Sequence, residues 1–221
     1  VPGDKSITHR AILLAAIAEG QSQIHGWLPS EDCRRTLNAV RAMGISVQEG
    51  EETLHIDGRG LSSLKEPGDF IDCGNSGTTL RLLTGFLAGQ SFFSTLTGDN
   101  SLRKRPMGRV VDPLHKMGAN IFGRGNGTLA PLAIRGKALT GIEYTLPIAS
   151  AQVKSALLLA GLYASGVTGI IDPFGSRDHT ERLLKYFGAA FKQKDSRCSI
   201  TGGKGFPGKT IKIPSDFSSA A

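Results

Sequence analysis

Residues 5–20 read KSITHRAILLAAIAEG, a polar start followed by an apolar run that closes on Ala-Glu-Gly. The same arrangement returns at 75–89, NSGTTLRLLTGFLAG, and at 150–166, SAQVKSALLLAGLYASG. The closing glycines lie 69 and 77 residues apart, a period too long and too loose for an ordinary solenoid repeat. The repetition therefore predicts one supersecondary unit that is used three times.

The three runs are apolar on nearly every side of a helix, with interruptions at Arg81, Lys154 and Ser155. Helices of this kind are buried almost all round. Strand-like segments lie between them, so we expect an α/β domain with helices inside and sheets outside, the reverse of most α/β layers. We predict one domain over 1–221, with units of about 5–70, 75–140 and 150–215.

A shorter amphipathic stretch follows each run. Two of these stretches should be helices that end at Gly44 and Gly188, since glycine is the usual residue after a helix C-terminus. The middle stretch contains Pro113, which should kink or shorten its helix.

The formal net charge of +7 and the pI near 9.5 indicate an anionic partner. Lysines and arginines are spread along the chain, and only 103–105 is densely basic. The few aromatic residues do not alternate with them as a base-stacking surface requires. We therefore expect a small phosphate or carboxylate ligand and no nucleic acid, while a basic nucleic-acid-binding module stays open as an alternative.

The cysteines, Cys33, Cys73 and Cys198, are three in number and form no Cys-x-x-Cys pair. The sequence thus predicts neither a disulfide framework nor a metal site. No run approaches the roughly 20 apolar residues of a membrane span, and no charged leader precedes an apolar core. We expect a protein of the reducing cytoplasm without membrane contact.

Hydrogen-bonding residues stand where the three runs begin. A helix N-terminus exposes unpaired N–H groups and about half a positive charge, so it favours a bound anion. Three buried helices that begin in one layer would direct three such ends at one place. Arg10 and Arg81, one turn further on, suit carboxylate or phosphate bidentately. The residues at the starts are Lys5, Ser6, Asn75, Ser76, Thr78, Ser150 and Gln152.

Simpler interpretations of these starts stay open. Ser6, Asn75 and Ser150 could serve only as N-caps, each worth about 1 kcal/mol. Lys5 is harder to explain, because a lysine beside the positive end of a helix is unfavourable by about 0.3–1 kcal/mol. Something negative should therefore compensate Lys5, and the same argument applies to Arg81.

Three further residues are weaker candidates. Arg105, before Pro106 at an expected helix start, could be a solvated surface arginine. His179 could be an acid or base, but a capped helix start with Asp178 or Thr180 is favoured. Cys73 could be a nucleophile, but a small buried cysteine is favoured.

Five motifs, in order along essentially the whole chain, resemble those of the 5-enolpyruvylshikimate-3-phosphate synthase family. The resemblance implies an enolpyruvyl-transferase-type α/β domain of three βαβαββ-like units, with helices inside and sheets outside. It also implies a second domain, and an active site in the cleft where the helix N-termini meet. The motifs are Lys5-Ser6-x-x-x-Arg10, Gly74-Asn75-Ser76-Gly77-Thr78 with Arg81, Arg103-Lys104-Arg105-Pro106-Met107-Gly108, Ser150-Ala151-Gln152 and Ser176-Arg177-Asp178-His179-Thr180-Glu181.

The family moves an enolpyruvyl group from phosphoenolpyruvate to the 5-hydroxyl of shikimate 3-phosphate, through a tetrahedral intermediate and without a cofactor. The resemblance implies that Ser6 and Arg10 bind the shikimate moiety. Its phosphate would be bound by Ser150, Ala151 through the backbone, and Ser176, with Arg177 in the same substrate-binding set.

The resemblance implies a second group of residues around phosphoenolpyruvate. Lys5, the catalytic candidate, would face this substrate together with Gly77, Arg105 and Gln152, and Gln152 would also contact the shikimate ring. Asn75 and Thr78 would shape the loop, and Arg81 would support it. A residue larger than Gly77 would crowd the pocket, so the resemblance implies sensitivity to glyphosate, which competes there.

The family's general base and its glutamate partner belong to the second domain, so no residue of this chain can be assigned to them. We expect the chain to be half an enzyme, a monomer that is inactive alone and whose partner is the C-terminal domain. The run 218–220 resembles the returning crossover between domains. The alternative relative is the enolpyruvyl transferase of UDP-N-acetylglucosamine, which has Lys-Asn in place of Lys5-Ser6 and a loop cysteine that 103–105 lacks.

Overall fold

The computed structural model describes residues 2–216, and the predicted crossover at 218–220 lies outside them. Six α-helices and one short 3-10 helix (Leu102–Lys104) occur in the described part of the chain. The α-helices are α1 (Lys5–Ala16), α2 (Glu31–Ala42), α3 (Gly77–Ala88), α4 (Gly108–Lys116), α5 (Ala151–Gly161) and α6 (His179–Phe187).

The strands, numbered in chain order, form three sheets of four strands and one short parallel pair. In spatial order, the first sheet consists of β14 (Thr210–Lys212), β1 (Glu19–His25), β3 (Thr53–Arg59) and β2 (Ser46–Glu49). The second consists of β4 (Ile71–Asp72), β5 (Phe93–Thr97), β7 (Leu129–Arg135) and β6 (Asn120–Arg124). The third consists of β9 (Glu143–Thr145), β11 (Val167–Ile171), β13 (Arg197–Thr201) and β12 (Phe191–Lys194), and the separate pair is β8 (Leu139–Thr140) with β10 (Ala164–Ser165).

The three sheets are built in the same way. A short strand pairs in parallel with the strand that follows the buried helix, and an antiparallel hairpin completes the sheet. Along the chain the second unit thus reads β4-α3-β5-α4-β6-β7. The third reads β9-α5-β10-β11-α6-β12-β13, in which β10 belongs to the separate pair. The predicted α/β fold of βαβαββ-like units is confirmed. The first unit takes its short strand from β14, where Ile211 pairs with Ile24, although 150–215 is the third unit by sequence.

The prediction that the helices lie inside and the sheets outside is also confirmed. Nine of twelve residues of α1, ten of twelve of α3 and nine of eleven of α5 are buried, which is more than one face of a helix can provide. α3 and α5 approach closely at Gly85. A Cβ at this position would lie only 2.1 Å from the carbonyl oxygen of Ala156, so only glycine leaves enough space. The apolar runs thus form the interior, and their N-termini face a common side.

The outer helices end as the sequence predicts. α2 is followed by Gly44 at φ +84° and α6 by Gly188 at φ +83°, both in the left-handed region that favours glycine. Pro113 lies inside α4, which has nine residues against twelve in α2. α6 also has nine residues and contains no proline, so Pro113 does not by itself explain the length.

Candidate functional site

The N-termini of α1, α3 and α5 surround a cavity of about 350 Å³. All three therefore present positive helix ends to the same space, the convergence expected from the repetition. Asn75, Gly77, Arg105, Ser150 and Ser176 lie outside its lining. The predicted binding residues that line it are Lys5, Ser6, Arg10, Thr78, Ala151, Gln152 and Arg177.

The three helix starts are capped by Asp4, Ser76 and Ser150. Each side chain accepts a hydrogen bond from the backbone N–H three residues on, at 2.6, 3.1 and 3.4 Å respectively. Ser150 therefore is an N-cap, whereas Ser6 and Asn75 are not. Ser6 lies inside α1, which already begins at Lys5. Asn75 lies two residues before α3, which begins only at Gly77.

Arg10 is a buried cation at the floor of the cavity, only 2% exposed. Its guanidinium donates to the hydroxyls of Ser6 (2.8 Å), Ser155 (2.8 Å) and Thr180 (2.7 Å), and also to the Ser6 carbonyl at 2.8 Å. None of these partners among residues 2–216 is a carboxylate. Burial lowers the pKa of Arg10 to about 10, and the nearby charge of Glu181 opposes that shift. Arg10 thus stays cationic at neutral pH without an ion pair.

Lys5 lies at the rim of the cavity and has the negative partner that its position requires. Its Nζ atom is 3.2 Å from Oδ2 of Asp32, in the first turn of α2, and its side chain is 51% exposed. An ion pair this exposed stabilises by only about 0–1 kcal/mol, so Lys5 can exchange partners readily. Sequence analysis did not identify Asp32, although the acidic start Ser30-Glu31-Asp32 is a helix N-terminal signal.

A cluster of two arginines stands beside the cavity around Gly77. A Cβ on Gly77 would lie 2.9 Å from a guanidinium nitrogen of both Arg81 and Arg105. Burial, reinforced by the charges of Arg109 and Arg105, lowers the pKa of Arg81. The two cations are therefore packed against a residue that leaves room for them only because it has no side chain.

Gln152 joins this cluster to the cavity. Its side-chain oxygen accepts from Nη1 of Arg81 at 2.8 Å, and its nitrogen donates to Oγ1 of Thr78 at 3.0 Å. Arg105 donates to the side-chain oxygen of Asn75, whose nitrogen donates to Asp99 at 2.6 Å. The compensating anion expected for Arg81 is not among its hydrogen-bond partners in residues 2–216, which are Gln152 and the carbonyls of Gly77 and Pro106.

Ser176 and Arg177 border a second cavity, of about 310 Å³, and Arg177 lines both cavities. The backbone N–H and the hydroxyl of Ser176 both donate to Oδ2 of Asp172, at 2.9 and 2.5 Å. The same carboxylate oxygen accepts from Lys154 at 2.8 Å. Lys154 interrupts the third apolar run. A lysine within a run that is otherwise apolar was the feature of the sequence that could have indicated a buried charge here.

His179 and Cys73 do not join the predicted binding residues around the main cavity. His179 is the first residue of α6 and lines a separate cavity of about 680 Å³, and burial lowers its pKa. The preceding residue, Asp178, makes no capping hydrogen bond with its side chain. Cys73 is fully buried, and burial raises the pKa of its thiol, so it is a poor nucleophile.

Residues 2–216 contain no group of three or more His, Cys, Asp or Glu residues that could hold a metal ion. None of their helices has the length and hydropathy to span a membrane.

Comparison with known proteins agrees with this geometry. The model of the family EPSP synthase (3-phosphoshikimate 1-carboxyvinyltransferase) matches residues 1–221. The chain is 57% identical to the 3-phosphoshikimate 1-carboxyvinyltransferase of Geotalea daltonii and 56% identical to that of Geobacter sulfurreducens, over 100% of the chain and 52% of each relative. The chain thus spans about half the length of the curated relatives it matches.

A solved structure extends the likeness to the fold. The chain superposes on a structure titled EPSP synthase from Acinetobacter baumannii with a TM-score of 0.96 and 48% identity, over 100% of this chain and 50% of that one. The family model leaves no part of the chain unmatched. The chain therefore belongs to the EPSP synthase family.

Proposed function

We propose that the chain is the substrate-binding part of a 3-phosphoshikimate 1-carboxyvinyltransferase. Such an enzyme transfers the enolpyruvyl group of phosphoenolpyruvate to the 5-hydroxyl of shikimate 3-phosphate and releases inorganic phosphate. One observation carries the proposal: three helix N-termini converge on a cavity whose buried cation, Arg10, has only neutral hydrogen-bond partners among residues 2–216. Both substrates are anions, which such a cavity favours.

Shikimate 3-phosphate would lie across α1 and α5. Ser6 and Arg10 are hydrogen-bonded to each other at 2.8 Å, and together they would bind the shikimate moiety. The first backbone N–H groups of α5, at Ala151 and Gln152, have no partner within the helix and would receive the phosphate beside Ser150. Ser176 and Arg177 would contact the same phosphate.

Phosphoenolpyruvate would lie between α1 and α3. Arg105 and Lys5 would bind its anionic groups over Gly77, and Lys5 would donate a hydrogen bond to charge that develops in the transition state. Gln152 would contact both substrates, since its amide joins Arg81 to Thr78. Asn75 would hold Arg105 in place. Glyphosate would compete for the same space.

The remaining expectations follow from the family. Membership of the EPSP synthase family argues against the related transferase of UDP-N-acetylglucosamine. We place the protein in the cytoplasm, in keeping with free, buried thiols at Cys33, Cys73 and Cys198. The C-terminal domain as partner, the monomeric state and the division into three sequence units stay predictions.

The proposal is tested by titrating the 221-residue chain with shikimate 3-phosphate and following its amide NMR signals. Shikimate and inorganic phosphate serve as controls. Shifts that cluster at Ser6, Arg10, Ala151, Gln152 and Ser176 are expected. No shifts at millimolar ligand would contradict the proposal, and a sequence-tolerant, salt-dependent response to nucleic acid would favour the alternative.

A further inference from the structure

A buried group of charges lies behind Ser176, next to the main cavity. Nζ of Lys154 is 2.8 Å from Oδ2 of Asp172 and 2.6 Å from Oε1 of Glu181. The three side chains are only 4, 6 and 3% exposed. A buried ion pair adds little net stability, because the loss of hydration offsets the attraction. The role of the ion pair therefore lies in the groups that it holds nearby.

Asp172 holds the segment that follows it. Its Oδ2 atom accepts from Lys154 and from both the N–H and the hydroxyl of Ser176, and its Oδ1 atom accepts from the N–H of Phe174 at 3.1 Å. Lys154 also donates to the carbonyl of Ser176 at 3.1 Å. The position of Ser176 is therefore set by Asp172 and Lys154 together.

This arrangement places a carboxylate beside a proposed phosphate site. A phosphate oxygen at hydrogen-bond distance from Oγ of Ser176 would lie within about 5 Å of Oδ2 of Asp172, and the hydroxyl would turn from Asp172 to donate to it. Burial acts to raise the pKa of Asp172, but the hydrogen bonds from Lys154 and Ser176 outweigh it and lower the value to about 2. Asp172 is thus charged at neutral pH and would repel the ligand unless a cation stays in contact with it.

Lys154 is that cation, and Glu181 balances the remaining charge. The Lys154–Ser155 pair on α5 faces the Thr180–Glu181 pair on α6, so the hydroxyls of the two pairs bind Arg10 while their charges bind each other. The charges of Arg10, Lys154, Asp172 and Glu181 sum to zero when all are ionised. The carboxylate of Asp172 can therefore lie next to an anion site, because these four side chains together carry no net negative charge.

We propose that Lys154 is a positioning residue that neutralises Asp172 and thereby sets the preference for shikimate 3-phosphate over unphosphorylated shikimate. The inference rests on the proposed function and adds a determinant of its phosphate selectivity. Lys154 acts through Asp172 and Ser176 and does not touch the ligand itself.

The experiment measures the ratio of the dissociation constants of shikimate and shikimate 3-phosphate for the 221-residue chain and four variants. Lys154→Met should lower the preference for the phosphorylated ligand by about tenfold or more, the size expected for an uncompensated charge within 4–6 Å. Adding Asp172→Asn to Lys154→Met removes the carboxylate that has lost its cation and should restore the ratio. Glu181→Gln, the matched control in the same network, leaves the Lys154–Asp172 pair intact and should not lower the ratio.

Asp172→Asn alone keeps the test decisive if Lys154→Met does not fold. It retains an acceptor for the Ser176 N–H and releases the charge of Lys154, so the ratio should stay level or rise. A tenfold fall in Asp172→Asn, an equal loss of both ligands in Lys154→Met, or no recovery in the double variant would overturn the inference. A wild-type chain without any preference for the phosphorylated ligand would instead overturn the proposed phosphate site, and this inference with it.

Discussion

Gly77 leaves the space in which two guanidinium groups meet. A methyl group in Gly77→Ala would start 2.9 Å from nitrogens of both Arg81 and Arg105, closer than a carbon can approach. Both guanidinium groups must therefore shift, which is a small movement for the far ends of two flexible side chains but takes them from the positions they hold beside Gly77. We expect phosphoenolpyruvate and glyphosate to bind at least about fivefold more weakly, as measured by titration in the presence of shikimate 3-phosphate.

The control for this variant is Gly68→Ala, because an added Cβ there meets no atom within 4 Å. It should bind both ligands as the wild type does. Unchanged phosphoenolpyruvate affinity in Gly77→Ala would show that Arg81 and Arg105 do not form the binding site. Affinity for shikimate 3-phosphate should stay within about twofold in both variants, since the α1–α5 side of the cavity is not disturbed.

At the level of single residues, the sequence indicated candidate charged residues but not what surrounds them. Arg10 was a candidate because a guanidinium one turn into a helix suits a bound carboxylate or phosphate. Its partners Ser155 and Thr180 are 145 and 170 residues away, so no local pattern could link them to it. The same holds for Lys5 and Asp32, which are 27 residues apart.

A line of hydrogen bonds ties α1, α2 and α3 together near their N-termini. Nδ1 of His9 lies 2.7 Å from the hydroxyl of Thr36, which lies 2.8 Å from that of Thr79. Thr79 donates in turn to Ser76, the cap of α3, at 2.7 Å. Nε2 of His9 has no partner among residues 2–216. The helices are thus held in register by a neutral histidine.

This neutral histidine predicts a pH dependence of stability. Burial lowers the pKa of His9 from 6.5 to about 3, so between these values the unfolded chain binds a proton that the folded chain does not. Stability should therefore fall as the pH falls below 6.5, by about 1.4 kcal/mol per pH unit from this group. His9→Asn, which can keep the bond to Thr36, should remove that part of the slope in urea unfolding at pH 7, 6 and 5.

The matched control is His55→Asn, at a partly exposed histidine of β3. This variant should keep the wild-type loss of stability towards pH 5. A slope in His9→Asn equal to that of the wild type would contradict the assignment to His9.

At the level of elements, the sequence predicted helices well and cap positions less well. The long apolar runs fix α1, α3 and α5, because no other placement buries them on all sides. The caps depend on where the helical dihedrals begin. A shift of two residues transfers the role from Ser6 to Asp4, and a shift of one transfers it from Asn75 to Ser76. The pairing of β14 with β1 also escaped prediction, since it joins residues 187 positions apart, such as Gln23 and Thr210.

At the scale of the whole molecule, the threefold repetition was the strongest signal. Three copies of one unit bury their helices against each other, and this brings three N-termini to one side. The repetition alone could not separate the main cavity from the neighbouring Arg81–Arg105 cluster, because their separation depends on the side chain of Gln152 between them.

The convergence also limits what this chain can do alone. The cavity has Lys5, Arg10 and the helix N-termini as hydrogen-bond donors. Our proposal assigns no carboxylate among residues 2–216 as the base that accepts the proton of the 5-hydroxyl. A cavity open to solvent also leaves water beside the reacting groups, which weakens electrostatic stabilisation. We expect the 221-residue chain to bind shikimate 3-phosphate weakly and to release no phosphate above background when phosphoenolpyruvate is added.

The measurement is a phosphate-release assay on the purified chain, with a full-length EPSP synthase such as that of Acinetobacter baumannii as the positive control. Lys5→Met serves as a second control, because it removes the catalytic candidate and should leave the background rate unchanged. Turnover by the 221-residue chain that matches the full-length enzyme, and that Lys5→Met abolishes, would contradict the expectation. It would mean that a base lies among the residues that line the cavity, and Asp4 would then be the first carboxylate to test, since it borders the cavity at the start of α1.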